Sequence, residues 1–189
     1  MSLKKLFYAF FAGMLGIFAF APFSLKFLIF ASYAYLIYIL IHNKSTQIKE
    51  VFAWGFGHWG FGMSWIIVSV YYYGETSIAV SSIIYLLLII ILTLVFTCPL
   101  LLISYTNNIT NLDNKMFKIL FVSSCLMLSE ISREYLLNGV PWLIPGNVYL
   151  DTISQNIYPI FGASFNSFII YILCSVSYTH LTLPTKVEV

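Results

Sequence analysis

Six long, mostly apolar stretches run through this chain and leave only short polar segments between them. A helix needs about 20 residues to cross a bilayer, because the hydrocarbon core is about 30 Å thick and each helical residue rises about 1.5 Å. Backbone N–H and C=O groups in lipid must form hydrogen bonds within the protein, so a spanning segment is a helix or a barrel strand. These continuous apolar runs lack the alternation of apolar and polar residues that barrel strands show, so they favour helices. The stretches are residues 6–21, 25–41, 51–73, 78–105, 116–137 and 157–176.

The composition agrees with a membrane protein. Hydrophobic residues make up 60% of the 189 residues and charged residues 8%, whereas a soluble domain is about 25% charged. We therefore predict an all-α, polytopic transmembrane helix bundle of about six spans over residues 1–176. The polar residues 177–189 match no span and resemble the adapter-like end of a truncated reading frame, so we predict that this tail is not native.

The charged residues exclude some classes of partner and indicate an orientation. The net charge is only +2, and the basic residues are spread over many loops. They therefore form no basic stripe that could bind nucleic acid. The three cysteines show no metal-ligand spacing, and we predict neither a metal nor a cofactor. Alternate threading places six lysines on one side against Lys26 and Arg133 on the other, which predicts a cytoplasmic N-terminus. The six are Lys4, Lys5, Lys44, Lys49, Lys115 and Lys118.

The third stretch carries Gly55, Gly57, Gly60 and Gly62 within a few residues. Glycine lets helix backbones approach closely in lipid, so we interpret this stretch as a helix-packing surface. His58 lies among these glycines. An ionisable residue inside a membrane is a functional candidate, but a neutral histidine that donates to a neighbouring helix carbonyl is the alternative.

Two charged residues end the fifth stretch. Glu130 and Arg133 are three residues apart, so they share one helix face and can pair. A carboxylate near the membrane boundary is costly unless it is paired or faces water. One interpretation is a structural ion pair; the other is a polar group that orients a loop or a lipid head group.

Residues 138–156, which we call the Pro/Gly segment, follow this helix. Its prolines and glycines stop helix propagation and set turns. Pro141 precedes Trp142 and two further large apolar residues, an unusual composition for a loop. The segment is therefore either an interfacial anchor or the wall of a lipid site. We find no catalytic motif in the chain.

Several short motifs follow one another in a specific order across nearly all of residues 1–176. They are Phe20-Ala21-Pro22-Phe23, Trp54-Gly55-Phe56-Gly57, Ser64-Trp65, Val68-Ser69, Glu130 with Arg133, Gly139-Val140-Pro141-Trp142, Gly146 with Asp151, and Pro159-Ile160-Phe161-Gly162. In order and spacing they resemble the membrane region of bacterial apolipoprotein N-acyltransferase.

The resemblance implies a multi-pass protein of the bacterial inner membrane that acts in lipoprotein biosynthesis. Such an enzyme takes an acyl chain from a membrane phospholipid and transfers it to the N-terminal amino group of a diacylglyceryl-cysteine lipoprotein. Its chemistry is two-step nucleophilic catalysis by a Glu-Lys-Cys triad in a nitrilase-like domain. That triad matches no residue here, so we expect the chain as given to be a fragment that is inactive alone.

The resemblance leaves this chain a supporting role near the place where lipid tails enter. The candidate residues for substrate approach are Trp142, Pro141, Glu130, Arg133, Trp65 and Tyr71. Two other classes of function stay open. A small transporter or channel would use His58, and a non-catalytic membrane scaffold would bind a soluble partner through Trp142 and its neighbours.

Overall fold

The computed structural model of the chain describes residues 3–42, 47–109, 115–136 and 139–181. These residues contain helices and no strand, as predicted for an all-α protein. Two short 3₁₀-helices, Pro145–Tyr149 and Ile153–Ile157, lie in the Pro/Gly segment, and the second ends one residue beyond it. The α-helices are α1 (Leu3–Ile17), α2 (Leu28–His42), α3 (Gln47–Gly62), α4 (Trp65–Tyr73), α5 (Ile78–Ile109), α6 (Lys115–Leu136) and α7 (Tyr158–Leu181).

Two stretches of the described chain are long and apolar enough to cross a membrane. They are Ile78–Ile103 and Ile153–Ser177, and Leu28–Ile41 is a shorter apolar helix. The chain therefore has membrane character in the structure as well as in its composition. The number of spans and their orientation remain predictions.

The third apolar stretch, residues 51–73, is not one continuous helix, because α3 and α4 are separate helices. The Met63 amide still donates to the Trp59 carbonyl at 2.9 Å, four residues back. The Ile66 amide instead donates to the Met63 carbonyl, three residues back, at 3.1 Å. This tighter turn ends α3 after Gly62 and starts α4 at Trp65.

The third stretch is a helix-packing surface, as predicted: Gly57 packs α3 against α1, and Gly55 and Gly60 face α5. A Cβ atom on Gly57 would lie 2.1 Å from the Phe10 carbonyl oxygen, and one on Gly13 would lie 2.0 Å from the Trp54 carbonyl oxygen. The two backbones are therefore in direct contact, which only glycine permits at these positions. Tyr33 of α2 completes this part of the core against Trp54.

The last helix is kinked near its start. Gly162 has φ +76° and ψ 173°, inside a segment that is otherwise helical. A positive φ of this kind is available to glycine at little cost. The helix then continues through Leu181, so the first residues of the polar tail are helical, and residues 182–189 lie outside the described residues.

Candidate functional site

Arg133 of α6 fixes the first half of the Pro/Gly segment. Its side chain is only 2% exposed, and Nη1 donates to the Trp142 carbonyl oxygen at 2.7 Å. The guanidinium also lies over the Trp59 ring, 4.4 Å from its centroid. A charged donor to a backbone carbonyl forms a strong hydrogen bond, and the aromatic face adds a cation–π interaction. Arg133 therefore joins α6, α3 and the segment.

Glu130 does not form an ion pair with Arg133 in the described structure, so the interpretation as a structural ion pair was wrong. Its Oε2 instead accepts a hydrogen bond from the Tyr171 hydroxyl of α7 at 2.9 Å. Glu130 Oε1 and Arg133 Nε have no hydrogen-bond partner among the described residues. The two side chains share a helix face, as predicted, but each binds a different element.

Leu143 gives the first half of the segment a second attachment. Its φ is +60°, a left-handed conformation that bulky residues rarely adopt. Its side chain packs over Gly62, where an added Cβ would lie 2.4 Å from Leu143 Cδ1 and 2.9 Å from Ile17 Cδ1. The missing side chain of Gly62 therefore provides the space that Leu143 fills.

Trp142 and Trp65 form an aromatic pair at the protein surface. Their ring centroids are 5.6 Å apart in an edge-to-face arrangement, and the residues are 47% and 46% exposed. Pro141 is exposed beside them. Tyr71 is also exposed, but its ring packs against Tyr72 of the same helix. The structure thus pairs Trp65 with Trp142, whose carbonyl is held by buried Arg133 and which follows Pro141 in the chain. The Tyr71 ring contacts its own helix instead.

The second half of the segment is attached to α7. The Gly146 amide donates to Ser167 Oγ at 2.9 Å, and the Tyr158 hydroxyl donates to the Gly146 carbonyl. A Cβ on Gly146 would lie 2.0 Å from the Ala163 carbonyl oxygen, so the backbones touch. The two halves of the Pro/Gly segment are therefore held by different helices.

Lys26 and Asp151 form an ion pair that sequence analysis missed. The Lys26 ammonium holds the pKa of the Asp151 carboxyl below its ordinary value through a hydrogen bond and lies 5.9 Å from the centroid of the Tyr149 ring. Both residues line a cavity of about 310 Å³ with Ser24 and Asn147. No sequence signal linked the partners, because they are separated by 125 residues.

His58 has a structural role: it donates to the carbonyl of a neighbouring helix, which was the alternative to a functional role. It is fully buried, its Nδ1 donates to the Gly13 carbonyl oxygen at 3.2 Å, and its ring stacks on Trp54 with centroids 4.9 Å apart. Through these contacts, His58 contributes to the packing of α3 against α1. Among the described residues, no group of three or more His, Cys, Asp or Glu side chains is placed to hold a metal ion.

The comparisons with known proteins all identify the same family. A family model for the apolipoprotein N-acyltransferase N-terminal domain matches residues 12–176. The chain is 32% identical over 154 residues to apolipoprotein N-acyltransferase of Haemophilus influenzae. The aligned region covers 81% of this chain and 28% of that relative. The match to the Pasteurella multocida protein of the same name is 28% identical and covers 94% of this chain and 33% of the relative. The chain spans about a third of the length of these relatives, and it belongs to the apolipoprotein N-acyltransferase N-terminal domain family.

Proposed function

We propose that this chain is the membrane part of an acyltransferase of the bacterial inner membrane. The reaction moves an acyl chain from a membrane phospholipid to the N-terminal amino group of a diacylglyceryl-cysteine lipoprotein. Membership of the family and the shared name of its relatives support this proposal. The single observation that supports a role of this chain in lipid approach is the exposed Trp65–Trp142 pair, in which Trp142 belongs to the segment fixed by Arg133.

The role of this pair is to position the lipid rather than to react with it. Two half-exposed indole rings give an apolar surface with polar N–H groups, which suits the boundary between acyl chains and head groups. Arg133 and Leu143 hold the backbone beneath the rings, so the surface is ordered before a lipid arrives. Glu130, one turn from Arg133 on α6, joins this helix to α7 by accepting a hydrogen bond from Tyr171.

Replacement of Trp142 tests this role in a full-length protein that contains this membrane region. We expect Trp142→Ala to lower kcat/KM for acyl transfer by about tenfold, the effect of losing about 1.4 kcal/mol of substrate contact. Tyr105→Ala is the matched control, because Tyr105 is also an exposed aromatic residue but lies on α5. Equal activity of the Trp142 variant and the parent, at equal expression, would overturn the proposal.

The proposed topology has six crossings and a cytoplasmic N-terminus. In this arrangement α3 and α4 together form one crossing, and α1, α2, α5, α6 and α7 form one each. The apolar stretches and the lysine distribution support it. Single cysteines at Lys49 and Asn147, both exposed, test it with a membrane-impermeant thiol reagent. Labelling of position 147 from the cytoplasm, or of position 49 from outside, would contradict the topology.

We also propose that the membrane part comprises residues 1–176 and that residues 177–189 are not native. The match to the family, which ends at residue 176, supports this boundary. Sequencing the encoding DNA across codons 174–189 tests it. A native tail would be read from continuous genomic DNA in the same frame, and that result would overturn the proposal.

A further inference from the structure

A groove of about 700 Å³ lies between α1 and α3, toward the N-terminal ends of both helices. Farther along, the Gly13 and Gly57 contacts bring the two backbones together. Toward the N-termini, large side chains replace the glycines and leave a cleft between the helices. Its volume lies within the range of about 300–1,000 Å³ that is usual for ligand sites. The walls are formed by Leu3, Leu6 and Phe7 of α1 and by Ile48, Phe52 and Phe56 of α3.

The chemistry of the walls favours a hydrocarbon chain. The lining side chains are apolar except for one lysine, so they offer few hydrogen-bond donors or acceptors to a polar ligand. Phe7 is 59% and Ile48 is 53% exposed on the surface of the protein. Exposed apolar area of this kind is stabilised when an apolar group covers it.

The charges at one end of the groove determine which apolar occupant fits. Lys49 belongs to the lining, and Lys4 and Lys5 follow Leu3 on α1. Lys4 and Lys49 are exposed and make no hydrogen bond or ion pair with the part of the chain that the structure describes. The neighbouring carboxylate, Glu50, is buried at 3% exposure. A second copy of the chain would bring like charges together, whereas an anionic head group would neutralise them.

We propose that the groove binds one acyl chain of an anionic glycerophospholipid, with the lipid phosphate between Lys49 and Lys4. This site lies at the opposite end of α3 from Gly62 and Leu143. The bound lipid is therefore distinct from the acyl donor that approaches Trp142. It fills the cleft where α1 and α3 separate, and it stabilises their packing.

Native mass spectrometry of the purified 189-residue chain tests the proposal. The chain is titrated with phosphatidylglycerol or phosphatidylcholine that carry the same acyl chains. We expect one phosphatidylglycerol molecule to bind more tightly than phosphatidylcholine. We expect Lys49→Gln to weaken the binding of phosphatidylglycerol about fivefold, because each basic residue near an anionic membrane surface contributes about that factor. Lys118→Gln on α6, which removes the same charge away from the groove, should leave the affinity unchanged.

A second variant tests the apolar part of the groove with all lysines present. Ala53 lines the groove and is half-buried, so Ala53→Trp fills the groove and should abolish the tight phosphatidylglycerol site. Circular dichroism during heating shows whether each variant folds; if Ala53→Trp does not fold, the two lysine variants decide. Equal binding of both lipids, or equal loss in the Lys49 and Lys118 variants, would overturn the proposal.

A different occupant would also be visible. If Phe7→Cys forms a disulfide-linked dimer in membranes, and lipid does not suppress it, the groove is covered by a second copy and the proposal fails. None of these measurements requires acyl transfer. The outcome is therefore separate from the proposed function, which is tested by catalysis in a full-length protein.

Discussion

Two glycines in α3, one turn apart, have very different surroundings. Gly57 lies against the backbone of α1, where an added Cβ would be 2.1 Å from the Phe10 carbonyl oxygen. At Gly60 the nearest atoms to an added Cβ are Ile89 Cδ1 and the Tyr85 hydroxyl, both at 3.9 Å, which is ordinary van der Waals contact. The same substitution should therefore have opposite effects at the two positions.

Gly57→Ala should destabilise the protein by about 1–3 kcal/mol, because the backbone contact with α1 cannot yield as a flexible side chain can. Gly60→Ala should stabilise it by up to about 1 kcal/mol through helix propensity. Reversible denaturant unfolding in micelles, followed by circular dichroism, measures both. Similar changes in the two variants would contradict the geometry of the α1–α3 contact.

The Lys26–Asp151 ion pair predicts a pH dependence. Since Lys26 lowers the pKa of Asp151 in the folded protein, the contribution of the pair is complete above the ordinary aspartate pKa of about 3.9. It is lost as the pH falls below that value through the lowered pKa. Stability should therefore fall on acidification in the parent and fall less in Asp151→Asn. Glu75→Gln is the control, and a parallel loss in the parent and the Asp151 variant would contradict this prediction.

Single residues were predictable from the sequence where the signal was local. The glycine packing surface and the bonded His58 follow from residue type and depth in a span. The partners of Glu130 and Arg133 did not follow, because spacing on one helix shows which residues can meet but not which tertiary partners compete for them. Tyr171 and the Trp142 carbonyl became their partners through the packing of other elements.

At the scale of elements, the Pro/Gly segment is the least regular part of the described fold and depends on few contacts. Arg133 donates to its Trp142 carbonyl, and Leu143 packs over Gly62. Gly139 has φ +80° just before these residues, and its amide donates to the Glu134 carbonyl. The first half of the segment should therefore respond to the loss of the Arg133 hydrogen bond without unfolding of the helices.

Arg133→Lys should raise amide hydrogen exchange in residues 139–144 by about ten- to a hundredfold, because a hydrogen bond to a charged donor contributes about 1.5–3 kcal/mol. Lysine keeps the charge but loses the planar group that covers Trp59 and reaches the carbonyl. Mass spectrometry of exchange in micelles measures the change, with Glu134→Gln on the exposed side of α6 as the control. Unchanged exchange in this segment would show that Arg133 does not hold it.

Helix positions were largely predictable from apolar length. The stretch at 78–105 became α5, Ile78–Ile109, and the stretch at 116–137 became α6, Lys115–Leu136. The break between α3 and α4 was missed because Met63 and Trp65 maintain the apolar run while the hydrogen bonding changes register. Gly62 and Ser64 were the available signal, but both residues also occur within continuous membrane helices.

At the scale of the whole molecule, the chain contains the region shared with its relatives but only about a third of their length. Its cysteines are unsuited to nucleophilic chemistry. Cys125 and Cys174 are buried within α6 and α7, and Cys98 lies exposed on the apolar helix α5. A reactive thiolate needs an electropositive, partly exposed site, so we predict that the 189-residue chain transfers no acyl group alone.

An assay of the purified chain with labelled phospholipid and a diacylglyceryl-cysteine peptide tests this prediction. The full-length Haemophilus influenzae relative, under the same conditions, is the control for substrate quality. Any transfer above background by the chain alone would contradict the prediction, and loss of that transfer in Cys98→Ser would identify Cys98 as the nucleophile.

The Pro/Gly segment spans two helices with separate attachments. Arg133 of α6 holds Trp142, while Ser167 of α7 holds Gly146, and only a few residues lie between these two points. A small sideways movement of α7 relative to α6 would therefore have to be taken up by those few residues. The position of α7 would therefore be coupled, through this short stretch of backbone, to the surface that we propose meets the lipid.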